Sequence, residues 1–135
     1  MKSTVTWNSG LAFTAVQGGH SIQLDASRES GGKDSGASPK ALLLSGLGGC
    51  TGIDVVSILE KMRVHLEGLE VQVSADLTEE HPKVFTSIHL RYAFRGQNLA
   101  VEKLEKAVIL SMDRYCGVSA MLAKAAPISW EIVVD

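Results

Sequence analysis

The sequence has few cysteines and no cluster of basic residues, and each shortage excludes a class of protein. Two cysteines in 135 residues exclude the disulfide-rich frameworks of small secreted domains. The net charge of −2 and the scattered Lys and Arg give no basis for binding nucleic acid or an acidic membrane surface. Gly, Ser, Thr and Asp interrupt the apolar runs, so no membrane span is predicted. No signal-peptide pattern opens the chain, and a cytoplasmic location is therefore expected.

The two cysteines, Cys50 and Cys116, are 66 positions apart in the sequence. A purely structural disulfide between them is not expected in a reducing compartment. Neither lies in a CxxC pair or near a histidine at ligand spacing, so no metal site is predicted. One interpretation is that both are buried small hydrophobes, as free cysteines often are.

The remaining pattern predicts one α+β domain over residues 1–135. A hydrophobic fraction of 45% and a charged fraction of 21% are typical of a globular protein. The first 25 residues are predicted to form three short strands, followed by a flexible loop over 26–38 and a long helix. An antiparallel hairpin, formed by GLEVQVSADL and TSIHLRYAF, comes next. An amphipathic helix after Asn98, a short helical piece and a last strand, ISWEIVV, complete the predicted order. Trp7 and Trp130 are assigned to strand cores. Tyr115 and Cys116 are assigned to the buried stripe of the amphipathic helix.

The long helix is predicted to begin at Ser38-Pro39, with Ser38 as its N-cap and Pro39 in its first turn. Its apolar residues cover most of the circumference up to Met62, which is typical of a central, buried helix. The polar side chains form one stripe, interpreted as facing an interface: Thr51, Asp54, Ser57 and Lys61.

Four glycines surround the first cysteine in LSGLGGCTGIDVV, although each costs roughly 0.5–1 kcal/mol in a helix interior. The four are Gly46, Gly48, Gly49 and Gly52. They would make room for a ligand or a neighbouring helix to approach Cys50. They would equally serve close helix packing without any chemistry, and spacing alone leaves both explanations open.

These segments resemble a known family. SPKALLLSGLGGCTGIDVVSIL is similar to the first cysteine motif of the OsmC/Ohr proteins, in which a cysteine follows eleven residues after a helix-opening proline, as Cys50 follows Pro39. RYCGVSAML resembles the second cysteine motif. The resemblance covers essentially the whole chain, and the sequence GGCTGIDVVSIL is most similar to that of the YhfA-like branch.

The resemblance implies an OsmC-like fold, an intertwined homodimer and thiol-dependent peroxidase chemistry. Cys50 would be the peroxidatic cysteine, attacking an organic or hydrogen peroxide and becoming a sulfenic acid. Cys116 would resolve the sulfenate as a disulfide, which an external dithiol would reduce. No metal or organic cofactor is implied.

The family also implies an arginine near the reactive sulfur, held by a glutamate that follows the helix-opening proline. Arg28 is the only arginine before Cys50 and is therefore the candidate. The glutamate is replaced by Lys40. This departure favours an alternative function, in which a dimer with this fold binds a small ligand or senses redox state with little or no peroxidase turnover.

Overall fold

Alternating polar and apolar residues at the start of the chain form an antiparallel meander. In the computed structural model, which describes all residues from Met1 to Asp135, the strands are β1 (Thr4–Ser9), β2 (Ala12–Gln17) and β3 (His20–Leu24), in the spatial order β1-β2-β3. Gly10 closes the first turn at a φ of +57°, a backbone conformation that favours glycine. This meander belongs to the first of two compact units, Met1–Leu43 and Leu44–Asp135.

Trp7 lies on β1 but is 63% exposed, so its assignment to a strand core is wrong. Its indole N–H donates a hydrogen bond to the carbonyl oxygen of Gly10. The pattern predicted the strand correctly, but alternation does not say which face of a sheet is covered.

The segment predicted as a flexible loop is organised around Asp25, which is only 4% exposed. The carboxylate accepts the Ser35 hydroxyl at 2.7 Å and the backbone N–H groups of Ala26, Lys33 and Ser35 at 2.7–3.1 Å. These bonds, the Ser35 hydroxyl foremost, lower the pKa of Asp25 because they favour the charged form. The loop also contains a short 3-10 helix, Arg28–Ser30.

Helix α1 runs over Pro39–Lys61 and starts as predicted, because the Ser38 hydroxyl accepts the N–H of Ala41. It is not buried on all sides, however. Within the single chain its buried residues recur every four positions: Leu47, Thr51, Val55 and Leu59. Ile53 and Val56, on another face, are 74% and 46% exposed. Thr51 is fully buried within the single chain, so the prediction that it faces an interface with the rest of the polar stripe is wrong.

By length and composition α1 could also cross a membrane, with a mean hydropathy of 1.8. That observation is weak by itself, since core helices share these properties. The Thr51 hydroxyl hydrogen-bonds Tyr92 and Ser111 at 2.8 Å, and both bonds are buried. These contacts hold α1 in the core of the second unit.

The second unit contains its own three-stranded sheet. Strand β4 (Gly68–Leu77) pairs antiparallel with β5 (Phe85–Arg95), which confirms the predicted hairpin, and β6 (Ile128–Val134) pairs parallel with β5. The central strand β5 supplies a buried face whose members alternate in sequence: Ile88, Leu90, Tyr92 and Phe94. Trp130 is half-buried and meets Tyr92 edge to face.

Two further helices of this unit flank a π-helical turn. Helix α2 covers Val101–Leu110, the π turn Ser111–Tyr115, and helix α3 Gly117–Leu122. The π turn shifts the helical phase, so Tyr115 is 56% exposed, contrary to the predicted stripe. Cys116 is buried as predicted but has extended backbone, with φ −74° and ψ 101°.

Candidate thiol site

Three side chains that can bear a charge come together at the junction of α1 and the π turn. The sulfur atoms of Cys50 and Cys116 and a carboxylate oxygen of Asp54 all lie within 4.8 Å of one another. Cys50 and Asp54 share a face of α1 because they are four residues apart. Cys116 follows directly after the π turn. Residues 66 positions apart in the sequence thus form one cluster.

The two thiols differ in their surroundings. Both are free, but Cys50 is half-exposed while Cys116 is 3% exposed. Burial is the main cause that raises the pKa of Cys116, and the nearby Cys50 raises it further. Hydrogen bonds from Ser119, including its backbone N–H at 3.3 Å from the Cys116 sulfur, act in the opposite direction. Cys116 is therefore a protonated thiol at neutral pH, and Cys50 is the more accessible sulfur.

A chain of hydroxyl groups supports the carboxylate of this cluster. Ser111 donates to Asp54 Oδ2 at 3.0 Å, Thr51 lies 2.8 Å from Ser111, and Tyr92 lies 2.8 Å from Thr51. A hydroxyl has one proton, so Ser111, which donates to Asp54, must accept from Thr51. Thr51 must in turn accept from Tyr92. Because Asp54 Oδ2 accepts at the end of this chain, it sets the direction of all three hydrogen bonds.

Tyr92 is well suited to start this chain. Burial raises the pKa of Tyr92 to about 12, because the phenolate would lose its hydration. The phenol therefore remains a donor at physiological pH. None of these three hydroxyl groups donates to Asp54 Oδ1. The position of the Asp54 side chain is fixed through Oδ2, which accepts the Ser111 hydroxyl.

A groove of about 500 Å³ opens beside the cluster. Asp54 forms part of its wall, together with residues that are mainly apolar or amphipathic: Ser57, Ile58, Lys61, Met62, Leu110 and Tyr115. The groove gives solvent and small molecules access to Asp54, whereas neither cysteine lines it.

The four glycines around Cys50 differ in what an added Cβ would meet, and a Cβ at Gly52 would make only an ordinary contact with Val71 at 3.8 Å. A Cβ added at Gly48 would lie 3.0 Å from a methyl group of Val73 on β4, so Gly48 allows α1 to pack closely on the sheet. A Cβ at Gly46 or Gly49 would meet nothing within 4 Å. Close packing therefore explains Gly48, while Gly46 and Gly49 leave open space on the exposed side of α1.

The structure brings Cys50 and Cys116 together but leaves the activating cation a prediction. Arg28 is an exposed residue at the start of the 3-10 helix in the first unit. Lys40 is exposed in the first turn of α1.

Sequence reasoning did not assign Asp54 to the site, because a polar stripe on a helix is usually an interface or a solvated surface. The spacing Cys50-x-x-x-Asp54 was the available signal. Thr51, Ser111 and Tyr92 carry no motif, and only the fold reveals that their hydroxyl groups meet.

Comparison with known proteins gives consistent matches. Residues 32–131 match the family model described as OsmC-like protein. The chain is 40% identical to Protein YhfA of Escherichia coli (strain K12), over 98% of each chain. A hypothetical protein from Aquifex aeolicus VF5 has a crystal structure with a TM-score of 0.84 at 29% identity, covering 99% of this chain and 96% of that one. These matches confirm the resemblance drawn from the two cysteine motifs.

A more distant solved structure shares the fold alone. It is described as an organic hydroperoxide resistance protein OsmC from Legionella pneumophila, with a TM-score of 0.73 at 16% identity, covering 98% of this chain and 97% of that one. The α+β class and the OsmC-like fold are thereby confirmed.

Proposed function

Because the chain belongs to the OsmC family, we propose that it is a thiol-dependent peroxidase that reduces organic or hydrogen peroxides. The observation that carries the proposal is the separation of at most 4.8 Å between the Cys50 and Cys116 sulfur atoms. A disulfide needs about 2.05 Å, so a small movement of either side chain suffices. Relatives in fold that are named for hydroperoxide resistance support the same chemistry.

The two thiols take different roles because their access differs. The Cys50 thiolate attacks one peroxide oxygen, the O–O bond breaks, and the released alkoxide takes a proton to leave as alcohol. Cys50 is then a sulfenic acid. The buried Cys116 thiol attacks this sulfur, the S–OH bond breaks, and the hydroxide leaves as water with the thiol proton. An external dithiol reduces the Cys50–Cys116 disulfide and is itself oxidised.

Arg28 remains the proposed cation that favours the Cys50 thiolate. A cation near a thiol lowers its pKa, and a change of one pKa unit alters the thiolate fraction about tenfold. Arg28→Gln should therefore slow both alkylation of Cys50 and peroxide consumption about tenfold. Lys33→Gln, which removes an exposed cation from the same loop, is the matched control and should leave both rates unchanged.

We also propose that the protein works as a cytoplasmic homodimer with one domain per chain. The proposal is supported by apolar side chains that a single chain leaves exposed, including Trp7 at 63% and Ile53 at 74%. Such exposure on a monomer is typical of a protein interface. Sedimentation equilibrium should give twice the mass of 14.4 kDa.

Peroxide consumption by cysteine variants tests the peroxidase proposal. With excess dithiol, the parent should turn over repeatedly and Cys50→Ser should consume no peroxide. Without dithiol, Cys116→Ser should react once and accumulate a sulfenic acid that dimedone traps. Equal rates for the parent and Cys50→Ser would show that Cys50 is not the attacking residue.

A second candidate function is supported by the groove beside Asp54 and by Lys40 in place of the family glutamate. A groove of about 500 Å³ with an apolar wall is large enough for a small ligand, and the protein would then bind it or sense redox state without turnover. Consumption of a single equivalent of peroxide per chain despite excess dithiol would favour this function over the enzyme.

A further inference from the structure

The cluster of Cys50, Asp54 and Cys116 has the composition and spacing of an incomplete tetrahedral metal site. Zn²⁺ is bound at about 2.3 Å by thiolate sulfur and at about 2.0–2.2 Å by carboxylate oxygen. Around a tetrahedral ion these bonds place two sulfur atoms about 3.8 Å apart and a sulfur and an oxygen about 3.5 Å apart. The three ligand atoms, all within 4.8 Å of one another, reach that geometry by moving together by about 1 Å.

Two hydrogen bonds around the cluster are of the kind that orients metal ligands. Ser111 holds Asp54 through Oδ2 at 3.0 Å, which leaves Oδ1 able to coordinate. The N–H of Ser119 donates to the Cys116 sulfur at 3.3 Å, a contact that favours the thiolate. Such outer-shell partners orient ligands and strengthen metal binding.

Solvent access decides whether an ion can reach the cluster, and the type of ligand atom decides which ion the cluster prefers. The groove reaches Asp54 and Cys50 is half-exposed, so an ion can enter from solvent. Two thiolates favour a thiophilic ion such as Zn²⁺ over Mg²⁺ or Ca²⁺. Three protein ligands leave a fourth position for water.

We propose that the reduced protein binds one Zn²⁺ per chain through Cys50 Sγ, Cys116 Sγ and Asp54 Oδ1, and that oxidation to the Cys50–Cys116 disulfide releases it. Binding deprotonates the two thiols and releases two protons. A peroxide takes two electrons from the thiolate pair and, with two protons from solvent, is reduced to alcohol and water. The two sulfur atoms are then joined, and Asp54 remains as the sole ligand. Metal binding by the reduced chain is independent of the proposed peroxidase activity, whereas release by peroxide rests on it.

Co²⁺ is the first probe, because thiolate-to-cobalt charge transfer reports sulfur ligation directly. The protein is reduced, freed of reductant and titrated with Co²⁺, and Zn²⁺ affinity is then measured by competition with a chromophoric chelator. One ion per chain with strong charge-transfer absorption is expected. No stoichiometric binding at micromolar Zn²⁺ would overturn the proposal.

Variants identify the ligands. Cys50→Ser and Cys116→Ser should each lose about half of the charge-transfer intensity and most of the affinity. Asp54→Asn should weaken Zn²⁺ binding more than tenfold, and Ser111→Ala about tenfold, as expected for an outer-shell partner. Asp113→Asn removes an exposed carboxylate from the π turn and is the matched control, with no change expected. Unchanged binding in Cys50→Ser would contradict the assignment; circular dichroism checks that each variant is folded.

Oxidation separates this proposal from the peroxidase proposal. Diamide oxidises vicinal thiols without peroxide, so the disulfide form is made whether or not the protein is a peroxidase. That form, verified by mass, should bind no Co²⁺, and stoichiometric binding by it would refute the sulfur ligands. If diamide releases the ion but peroxide does not, the metal site stands and the peroxidase proposal fails.

Discussion

Two faces of helix α1 have similar apolar composition and opposite environments. One face is fully buried in the single chain and consists of Leu47, Thr51, Val55 and Leu59. The other contains Gly46, Gly49, Ile53 and Val56, and leaves Ile53 74% exposed. A helix that is apolar all round must cover both faces, so the first face builds the core of the chain and the second is available to another molecule. Cys50 lies between them and is half-exposed.

The difference explains how a cysteine on a core helix can remain accessible to solvent. The buried face fixes the position of α1 through packing and through the Thr51 hydrogen bonds. The open face leaves space next to Cys50, since Gly49 has nothing within 4 Å of an added Cβ. Rigid placement and access thus come from opposite sides of one helix.

The largest contrast between the two faces is expected from truncating their apolar side chains. Leu59→Ala removes a fully buried side chain and should lower the free energy of unfolding by about 2–5 kcal/mol. Ile53→Ala should change it by less than about 0.5 kcal/mol for the monomer, since exposed substitutions are nearly neutral. Urea denaturation at low protein concentration measures both changes in the free energy of unfolding. Equal losses for the two variants would contradict the comparison.

The next effect concerns the hydroxyl chain on the buried face. Thr51→Val keeps the shape of the side chain but removes a bond to Tyr92 and one to Ser111. Leaving buried hydroxyls unsatisfied costs about 1–3 kcal/mol. Ser57→Ala, at an exposed position of the same helix, should cost less than about 0.5 kcal/mol. If Thr51→Val were as harmless as this control in urea denaturation, the chain of hydroxyls would not stabilise the fold.

A smaller effect on stability should distinguish Gly49 from Gly48. Gly49→Ala should stabilise the monomer by about 0.5–1 kcal/mol through helix propensity. At Gly48 the same gain is offset because the new Cβ lies 3.0 Å from Val73, and overpacking is destabilising. Thermal denaturation of the pair measures the difference. If Gly49 provides room at Cys50, Gly49→Ala should reduce the rate of thiol alkylation although stability rises; loss of stability with unchanged alkylation would assign Gly49 to packing instead.

The last effect is a loss of folding stability at alkaline pH that arises from the buried Tyr92. Near neutral pH it is the smallest of the four effects. Burial raises the pKa of Tyr92 to about 12, above about 10 for an unfolded chain. The folded state therefore binds the phenolic proton more tightly, and this contribution to stability is complete below pH 10 and lost as pH rises from about 10 to 12. Urea midpoints should fall over this range more steeply for the parent than for Tyr92→Phe. Identical slopes would contradict the role of Tyr92.

Much of the fold could be predicted from the sequence because local signals agreed with it. Ser38-Pro39 sets the start of α1, and period-two alternation identifies the β4–β5 hairpin. The ordered loop could not be predicted, since Ser35 and Asp25 are ten positions apart and their hydrogen bond has no periodic signature. Exposure of Trp7 and Ile53 was missed because apolar character indicates a covered face without saying which molecule covers it.

The site was predicted only in part, for a similar reason. Two cysteine motifs placed Cys50 and Cys116 together, whereas the π turn that presents Cys116 has no recognisable sequence signal. Asp54 was visible as a residue four positions after Cys50, yet its role depends on Ser111, which is 57 positions away. Contacts between distant segments decide the chemistry of the cluster.

Mapping of the disulfide tests the central proposal most directly. The reduced protein is treated with one equivalent of a peroxide, its free thiols are blocked, and its peptides are analysed by mass spectrometry. We expect both thiols to disappear together and a Cys50–Cys116 disulfide to form within one chain. A parent protein that keeps both thiols, or that oxidises Cys50 while Cys116 remains free, would contradict the proposal that these two sulfur atoms form a redox pair.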